Sequence, residues 1–461
     1  MRKYQQLLLL VIALIGLAGT IDLDNLPNYA GQSIPNYIND DNNPANNPIT
    51  DIGATLGRVL FYDKQLSTDA SISCASCHLQ QFAFGDTAVA SLGVNGRTGR
   101  HAMRLVNARF SETTQAFWDE RAASFEIQST QPIQDHIEMG FSGTGDDPDL
   151  DSLIRRMEDL EYYPRLFEIA FGDPTITEER MQLALAQFVR SIQSFDSKFD
   201  EGRAQVNNDG MPFPNFTNAE NQGKMLFLVP PDFDNNGNRI GGGTGCGSCH
   251  RPPEFDINGN SRNNGVISSI EGGLDITNTR SPSLRDLVNP HGQLNGPLMH
   301  NGAFNSLMEV IEHYNDIPDL SMNPQLDNRL RPMGNLQNLQ MTDQEKDQLL
   351  SFLLTLTGSN IYEDEKWSDP FDNGELVLLP ELTTSVEELE KSSLKIYPNP
   401  ASNYLFLETR AIPTNTQVSI LSISGQLMYQ GPFQTQINVS HFPQGCYQIR
   451  LEEQVLKFIK L

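Results

Sequence analysis

Two five-residue clusters constrain this chain more than any other feature: Cys74-Ala75-Ser76-Cys77-His78 and Cys246-Gly247-Ser248-Cys249-His250. Both are C-x-x-C-H, 172 residues apart, and this spacing reads as the attachment site of a c-type haem. The two thiols can each add to a haem vinyl group, and the adjacent His is then held under the ring as the proximal iron ligand. A zinc site could also use paired CxxC knuckles, but these knuckles are far apart and each carries its own His. A thioredoxin-like redox pair needs one CxxC in a βαβ context, and no strand-like run precedes either cluster. The expectation is two covalently bound haem c groups. Four of the five Cys and two His are then used without remainder; Cys446, alone in a strand-like stretch, reads as a small buried hydrophobe.

The start of the chain agrees with chemistry done outside the cytoplasm. Met1-Arg2-Lys3, an apolar run from Leu7 to Leu17 and the small residues Ala18-Gly19 form a signal peptide over residues 1–19. The run is too short for a membrane span, so none is expected in the mature chain from about Thr20. With 32 Lys and Arg against 58 Asp and Glu, the formal charge is −26. A surplus of that sign repels phosphate backbones and excludes a nucleic-acid partner.

The chain around the clusters is duplicated. Leu56-Gly57-Arg58-Val59-Leu60-Phe61 precedes the first and Gln222-Gly223-Lys224-Met225-Leu226-Phe227 the second. Trp118-Asp119-Glu120-Arg121 to Glu126 follows the first, and His300-Asn301-Gly302-Ala303 to Leu307 the second. Apolar residues recur at helical spacing over Leu150–Phe171 and Glu178–Phe195, and Thr342 with Glu345 makes a capping box before Leu349. Asp232-x-Asp234-x-Asn236-Gly237 starts like an EF-hand loop, but Gly243 stands where Glu is needed, so it reads as a loop insertion. After Phe371 comes an acidic, linker-like stretch. The apolar period then changes to two over Tyr404–Leu407, Val418–Ile420, Ile437–Val439 and Tyr447–Leu451. The predicted fold is mainly α: two tandem c-type cytochrome-like haem domains (20–205 and 206–373), a linker (374–393) and a small Ig-like β-sandwich (394–461).

From about Ile52 to Phe371 the sequence resembles the bacterial di-haem cytochrome c peroxidases and their MauG-type relatives. The resemblance implies that His78 is the proximal ligand of a peroxide-reacting haem and His250 that of an electron-relay haem. It implies that Trp118, within Phe117-Trp118-Asp119-Glu120-Arg121-Ala122, lies between the rings as an electron conduit. Gln128, Pro132 and Glu138-Met139-Gly140 match the family's distal-pocket pattern. Glu138 is then the base that takes a proton from bound H2O2 and returns it to the leaving oxygen, with Gln128 as its neighbour. Tyr314 stands where peroxidases of the family carry an axial Met and MauG-type proteins a Tyr; Met299 and His313 are the alternative ligands. Leu307, Val310, Ile311 and Tyr314 also form a helical core stripe, which would place Tyr314 inward in either case.

Some positions depart from the family pattern. His101 replaces an Asn associated with an inter-domain calcium, for which the carbonyls of Asn295 and Pro297 are the remaining candidate ligands. Asn95 lies where reductively activated members carry a switching His, and His136 is the nearby imidazole. Tyr397-Pro398-Asn399-Pro400, Ile423-Ser424-Gly425 and Lys457–Leu461 resemble the type IX secretion sorting domain, which implies the type IX machinery as a partner and a cell-surface or extracellular destination. A carbohydrate-binding or adhesive module is the alternative for this piece. The implied activity is peroxidase, reducing H2O2 with electrons from a donor such as a small cytochrome c. The alternatives are a MauG-type enzyme oxidising residues of a partner protein through a bis-haem oxidised state, and a non-catalytic di-haem electron carrier.

Overall fold

The computed structural model describes residues 19–257, 261–278, 280–318, 321–379, 395–408, 417–422, 425–451 and 454–461. The expected signal peptide up to Ala18, the linker from residue 380 onward and Ile423-Ser424 of the sorting motif lie outside them. The chain divides into two units, one ending at Leu379 and the other beginning at Pro380.

The first unit is helical. Helix α1 (Asp51–Tyr62) begins where the Thr50 hydroxyl accepts the Gly53 N–H at 3.0 Å. The short α2 (Phe125–Ser129), α3 (Leu150–Glu158), α4 (Tyr162–Phe171) and α5 (Glu178–Ser191) follow, then α6 (Lys198–Arg203), α7 (Asn218–Leu228), α8 (Leu307–Asn315) and α9 (Asp343–Leu353). The stretch expected to be one helix over Leu150–Phe171 divides at residues 159–161. Pro164 explains the break: a continuous helix would drive its ring into the Leu160 carbonyl, whereas in the first turn of α4 its missing N–H costs nothing. Thr342 and Glu345 form the expected capping box, with N–H to side-chain distances of 2.9 and 3.2 Å.

Two helix pairs repeat one another. In α1, a Cβ on Gly57 would collide with the Ala184 carbonyl and the Phe188 side chain of α5. In α7, a Cβ on Gly223 would collide with the Gln348 carbonyl and the Phe352 side chain of α9. Each glycine lets the backbones of its pair come into contact, four residues before an aromatic that closes the core (Phe61 and Phe227). Two cores result. Leu56, Leu60, Phe61, Leu185 and Phe188 lie in one, and Phe199, Phe227, Phe255, Leu349 and Phe352 in the other.

The boundary expected at residue 373 is not where the unit ends. Trp367 and Ile361 lie in the first core, Tyr62 donates to the Trp367 carbonyl at 2.7 Å and Arg58 to the Ser368 carbonyl at 2.6 Å. The strands of this unit are β1 (Thr20–Asp22), a hairpin of β2 (Pro231–Phe233) and β3 (Arg239–Gly242), the two-residue pair β4 (His250–Arg251) and β5 (Asp256–Ile257), and β6 (Val377–Leu379). β6 pairs in parallel with β1, Ile21 opposite Leu378, so the part of the supposed linker up to Leu379 is a strand of the helical unit. The acidic Asp232–Gly237 stretch is the turn of the β2–β3 hairpin. Its Asp234 carboxylate accepts the Asn236 and Asn238 N–H groups at 2.8 and 2.9 Å, so it behaves as a loop insertion.

The second unit is β-rich. Its strands are β7 (Lys395–Tyr397), β8 (Tyr404–Glu408), β9 (Gln417–Ser422), β10 (Leu427–Pro432), β11 (Gln436–Asn438), β12 (Gly445–Leu451) and β13 (Gln454–Lys460). They form two antiparallel sheets, β10-β9-β12-β13 and β11-β8-β7, sharing a core of Leu405, Leu407, Val418, Ile420, Tyr447 and Ile449. The Cys446 expectation is corrected: its thiol is exposed. Strand alternation turns Tyr447, Ile449 and Leu451 inward, which puts Cys446, one residue before Tyr447, outside.

Candidate functional site

Each C-x-x-C-H builds the same hook. A single turn carries the motif, with the Cys77 N–H on the Cys74 carbonyl at 3.1 Å and the Cys249 N–H on that of Cys246 at 3.2 Å. The chain then doubles back: Phe84 N–H meets the Leu79 carbonyl at 2.9 Å, and Phe255 N–H meets that of Arg251 at 2.8 Å. Both Phe residues are fully buried and left-handed, with φ of +58°, a conformation that costs about 1–3 kcal/mol for a non-glycine residue. In the first hook the Phe84 carbonyl accepts from His78 Nδ1 at 3.1 Å. A carbonyl can only accept, so Nδ1 carries the proton and Nε2 keeps the lone pair an iron ligand needs. In the second, the Phe255 carbonyl acts on His250 in the same sense, but Nδ1 stays buried without a well-formed hydrogen bond. Burial lowers the pKa of both imidazoles, His250 to about 4, so they are neutral at pH 7.

Burial pushes the thiols the other way, Cys74 up to about 12 and Cys77 and Cys246 to about 11. A redox-active CxxC needs the opposite shift. Among the described residues, no group of three or more His, Cys, Asp or Glu could hold a metal ion. The Cys and His residues instead face cavities. Cavities of about 440 and 70 Å³ flank the first hook, and cavities of about 130 and 80 Å³ flank the second. Apolar walls with a few convergent polar groups are the usual furnishing of a ligand site.

Glu138, Gln128 and Pro132 all line both cavities of the first hook, together with Cys77 and His78. Gln128 is presented by α2, capped by Ser124. Glu138 is fixed by its backbone: its N–H donates to Asp135 Oδ1 at 3.0 Å and its carbonyl accepts from Val94 at 3.0 Å. The strip carrying Val94 can lie this close because residue 93 is glycine; a Cβ there would collide with the Ile137 carbonyl. Burial, and then the neighbouring Asp135 charge, pushes Glu138 up to about 7 against the opposing pull of Arg121. A carboxyl at that value can both accept and return a proton near neutrality.

Trp118 lines the larger cavities of both hooks. Its Nε1–H donates to the His101 carbonyl at 2.7 Å. The loop that holds it is itself duplicated. Ala116 bridges to Ala122 as Leu298 bridges to Phe304, Phe117 (φ +71°) matches Met299 (φ +72°), and Ser124 caps α2 as Ser306 caps α8. Trp118 and His300 occupy equivalent places and meet edge to face with ring centroids 6.3 Å apart.

At the second hook, Tyr314 lines both cavities and Met299 only the larger. His313 lines neither; its Nε2 engages the Asn264 carbonyl at 2.9 Å. Burial, then the nearby Cys249, raises the Tyr314 pKa well above the usual phenol value. His101 uses Nδ1 on the Ala88 carbonyl at 2.9 Å. Asn295 donates to the Asp286 carbonyl and the Tyr362 hydroxyl, both at 2.8 Å, while its Oδ1 is buried without a partner; Pro297 lines the larger second cavity. Asn95 and His136 are exposed and line no cavity: Asn95 bonds to the His136 carbonyl at 2.8 Å and His136 to Asp147 at 2.7 Å. Sequence reasoning missed Phe84 and Phe255, whose role depends on φ rather than residue type, and Arg104, whose Nε has no acceptor among the described residues.

Comparison with known proteins gives matches in the same places. The family described as di-haem cytochrome c peroxidase matches residues 52–208, and the secretion system C-terminal sorting domain matches residues 395–460. The chain is 28% identical over 363 residues to methylamine utilization protein MauG of Methylophilus methylotrophus, covering 76% of this chain and 95% of that one. It is 27% identical over 320 residues to cytochrome c551 peroxidase of Nitrosomonas europaea, covering 66% and 80%. A solved structure of a MauG-like protein associated with microbial copper homeostasis superposes with a TM-score of 0.55 at 28% identity, covering 73% of this chain and 98% of that one.

Proposed function

We infer that this chain, which belongs to the di-haem cytochrome c peroxidase and MauG family and ends in a sorting domain for export to the cell surface, is a peroxidase that reduces H2O2 to water with electrons from an external donor such as a small cytochrome c. The residues present fit two haem c groups: two neutral, half-buried thiols and an imidazole with a free lone pair stand together at a cavity in the first hook, and matching groups stand in the second. Cys74, Cys77 and His78 would hold one group and Cys246, Cys249 and His250 the other. We read the two cores as a haem-binding half and its duplicate, and the C-terminal sheets as an Ig-like sandwich.

When bound, the haem iron at His78 supplies the position at which peroxide binds and the electrons that cleave its O–O bond. The chain's own residues do the rest. What carries the reading is Glu138: a carboxyl at about 7, on the walls of both cavities beside His78. In its ionised form it takes the proton from the near peroxide oxygen, and as the acid it delivers that proton to the departing one, which leaves as water. Gln128 hydrogen-bonds to the peroxide or to the Glu138 carboxyl and keeps it aimed. Trp118 stands in the wall an electron must cross between the two sites. The carbonyls of Asn295 and Pro297 are our candidate calcium ligands, supported by the unpartnered Asn295 Oδ1. Rapid mixing of the ferric protein with H2O2 tests the assignment: the Soret band should shift at one haem, and Glu138→Gln should slow that shift by roughly 10²–10⁴-fold. An inert wild-type spectrum would leave an electron carrier.

Tyr314 favours a second reading. It lines both cavities of the second hook, and an anionic oxygen ligand there would lower that haem's potential. The chain would then act like its MauG relatives, taking electrons from residues of a partner protein. Steady turnover with reduced cytochrome c supports the peroxidase reading; a single peroxide-driven oxidation without such turnover supports the other.

A further inference from the structure

Arg104 and Arg280 line both of the larger cavities, and Arg100 lines the one at the first hook. Two of them are paired. Arg100 forks onto Asp275 at 2.8 and 2.9 Å and meets Asp119 at 2.9 Å. Arg280 meets Asp256 at 3.4 Å and donates to Ser111 Oγ at 3.0 Å. Arg104 differs. Its Nη2 donates to the Ser283 carbonyl at 3.0 Å, its Nε is buried with no acceptor, and among the described residues no carboxylate lies within ion-pair distance of it. Asp286 is the acidic group whose field reaches it most strongly. That carboxyl is itself fully buried, and its Oδ1 takes the Gly358 N–H at 2.9 Å and the Tyr362 hydroxyl at 3.1 Å.

Arg104 is half-buried at the cavity wall with its Nε unsatisfied, and a guanidinium is shaped to hold a carboxylate by two parallel bonds. Among the described residues no carboxylate meets Arg104, whereas a bound haem would bring two. Haem c is tethered through the vinyl edge of its ring and carries two propionates on the opposite edge, so each haem brings two carboxylates into the cavities that Arg104 lines. We propose that Arg104 binds a haem propionate at the wall shared by the two cavities. This rests on the two-haem reading above, and it deepens that reading by naming where one ligand carboxylate is held.

The test uses the full, haem-loaded chain. Intact mass comes first: a wild-type chain lacking two added haems would sink the haem reading itself. With both haems present, Arg104→Gln should move the propionate-bending band in the resonance Raman spectrum. It should also lower the reduced-to-oxidised ratio of one haem about tenfold at fixed potential, which is 59 mV for a one-electron couple, because loss of a nearby cation favours ferric iron. The haem that shifts is the one whose propionate is held, since a haem-resolved titration reports the two separately. An unmoved band with both potentials unchanged overturns the proposal, and so does an equal shift of both haems with the band unmoved, which is a bare field effect. If Arg104→Gln does not load haem, Arg104→Lys decides. It keeps the charge but loses the fork, so it should move the band while holding both ratios within about threefold; an unmoved band there counts against the proposal.

Discussion

The two hooks are built alike and furnished differently. Both have the C-x-x-C-H turn, the left-handed Phe behind it, the glycine-mediated helix contact and the capped loop carrying Trp118 or His300. They part company at the cavity. The first has about 440 Å³ with Glu138 and Gln128 in its wall, whereas the second has about 130 Å³ walled by Met299 and Tyr314. The shared parts are those that would hold a covalently tethered ring and its imidazole ligand, and a duplicated scaffold would meet that need twice. The unshared parts are those that, on the proposed reading, would decide what a bound iron can do. One half keeps room and a proton-transfer group; the other fills the space with side chains able to ligate.

The contrast can be broken experimentally, most severely at Glu138. Glu138→Gln should raise the barrier of the peroxide step by about 3–5 kcal/mol, the equivalent of roughly 10²–10⁴-fold. Tyr314→Met should leave that bimolecular step near wild type and change only the second haem's spectrum and potential; equal losses in both variants would erase the division of labour. The scaffolding should answer symmetrically. Gly57→Ala and Gly223→Ala each force a Cβ into a partner-helix carbonyl and should cost about 1–3 kcal/mol or more in urea unfolding. A loss confined to one variant would mean that the two cores are not equivalent. The caps come next: Thr217→Ala and Thr342→Ala each remove a capping-box hydroxyl and should cost about 1 kcal/mol. Glu138 also carries a pH signature. Because the folded pKa of Glu138 is raised to about 7, the fold favours its protonated form, and the stability this gives at low pH is lost as pH climbs from the unfolded value through 7. Glu138→Gln should therefore gain stability relative to wild type at pH 8 compared with pH 5; no such crossover in paired melts would return Glu138 to solvent.

Much of this was legible in residue types and spacings. The C-x-x-C-H pair, the Gly57 and Gly223 echoes and the Thr342 capping box depend on local rules that a linear string carries. Trp118 and Glu138 could be picked out by pattern, but their placement on shared walls depends on loops far apart in the chain coming together. What stayed hidden has physical reasons. Phe84 and Phe255 act through a backbone angle and a carbonyl, so nothing in their side chains advertises the role. Arg104 looks like any other arginine until its neighbours are seen to be paired and it is not. Cys446 was misplaced because a thiol reads as apolar, while strand alternation, set by Tyr447 and Ile449, put it outside.

The pairing of Ile21 with Leu378 has a consequence of its own. Three residues from each end of the helical unit lie side by side as parallel strands, so its backbone is shut into a ring by hydrogen bonds alone. Such a clasp spans nearly the whole unit, and joining such distant stretches is entropically costly and tends to come late in folding. Trimming Val377–Leu379 would unfasten it.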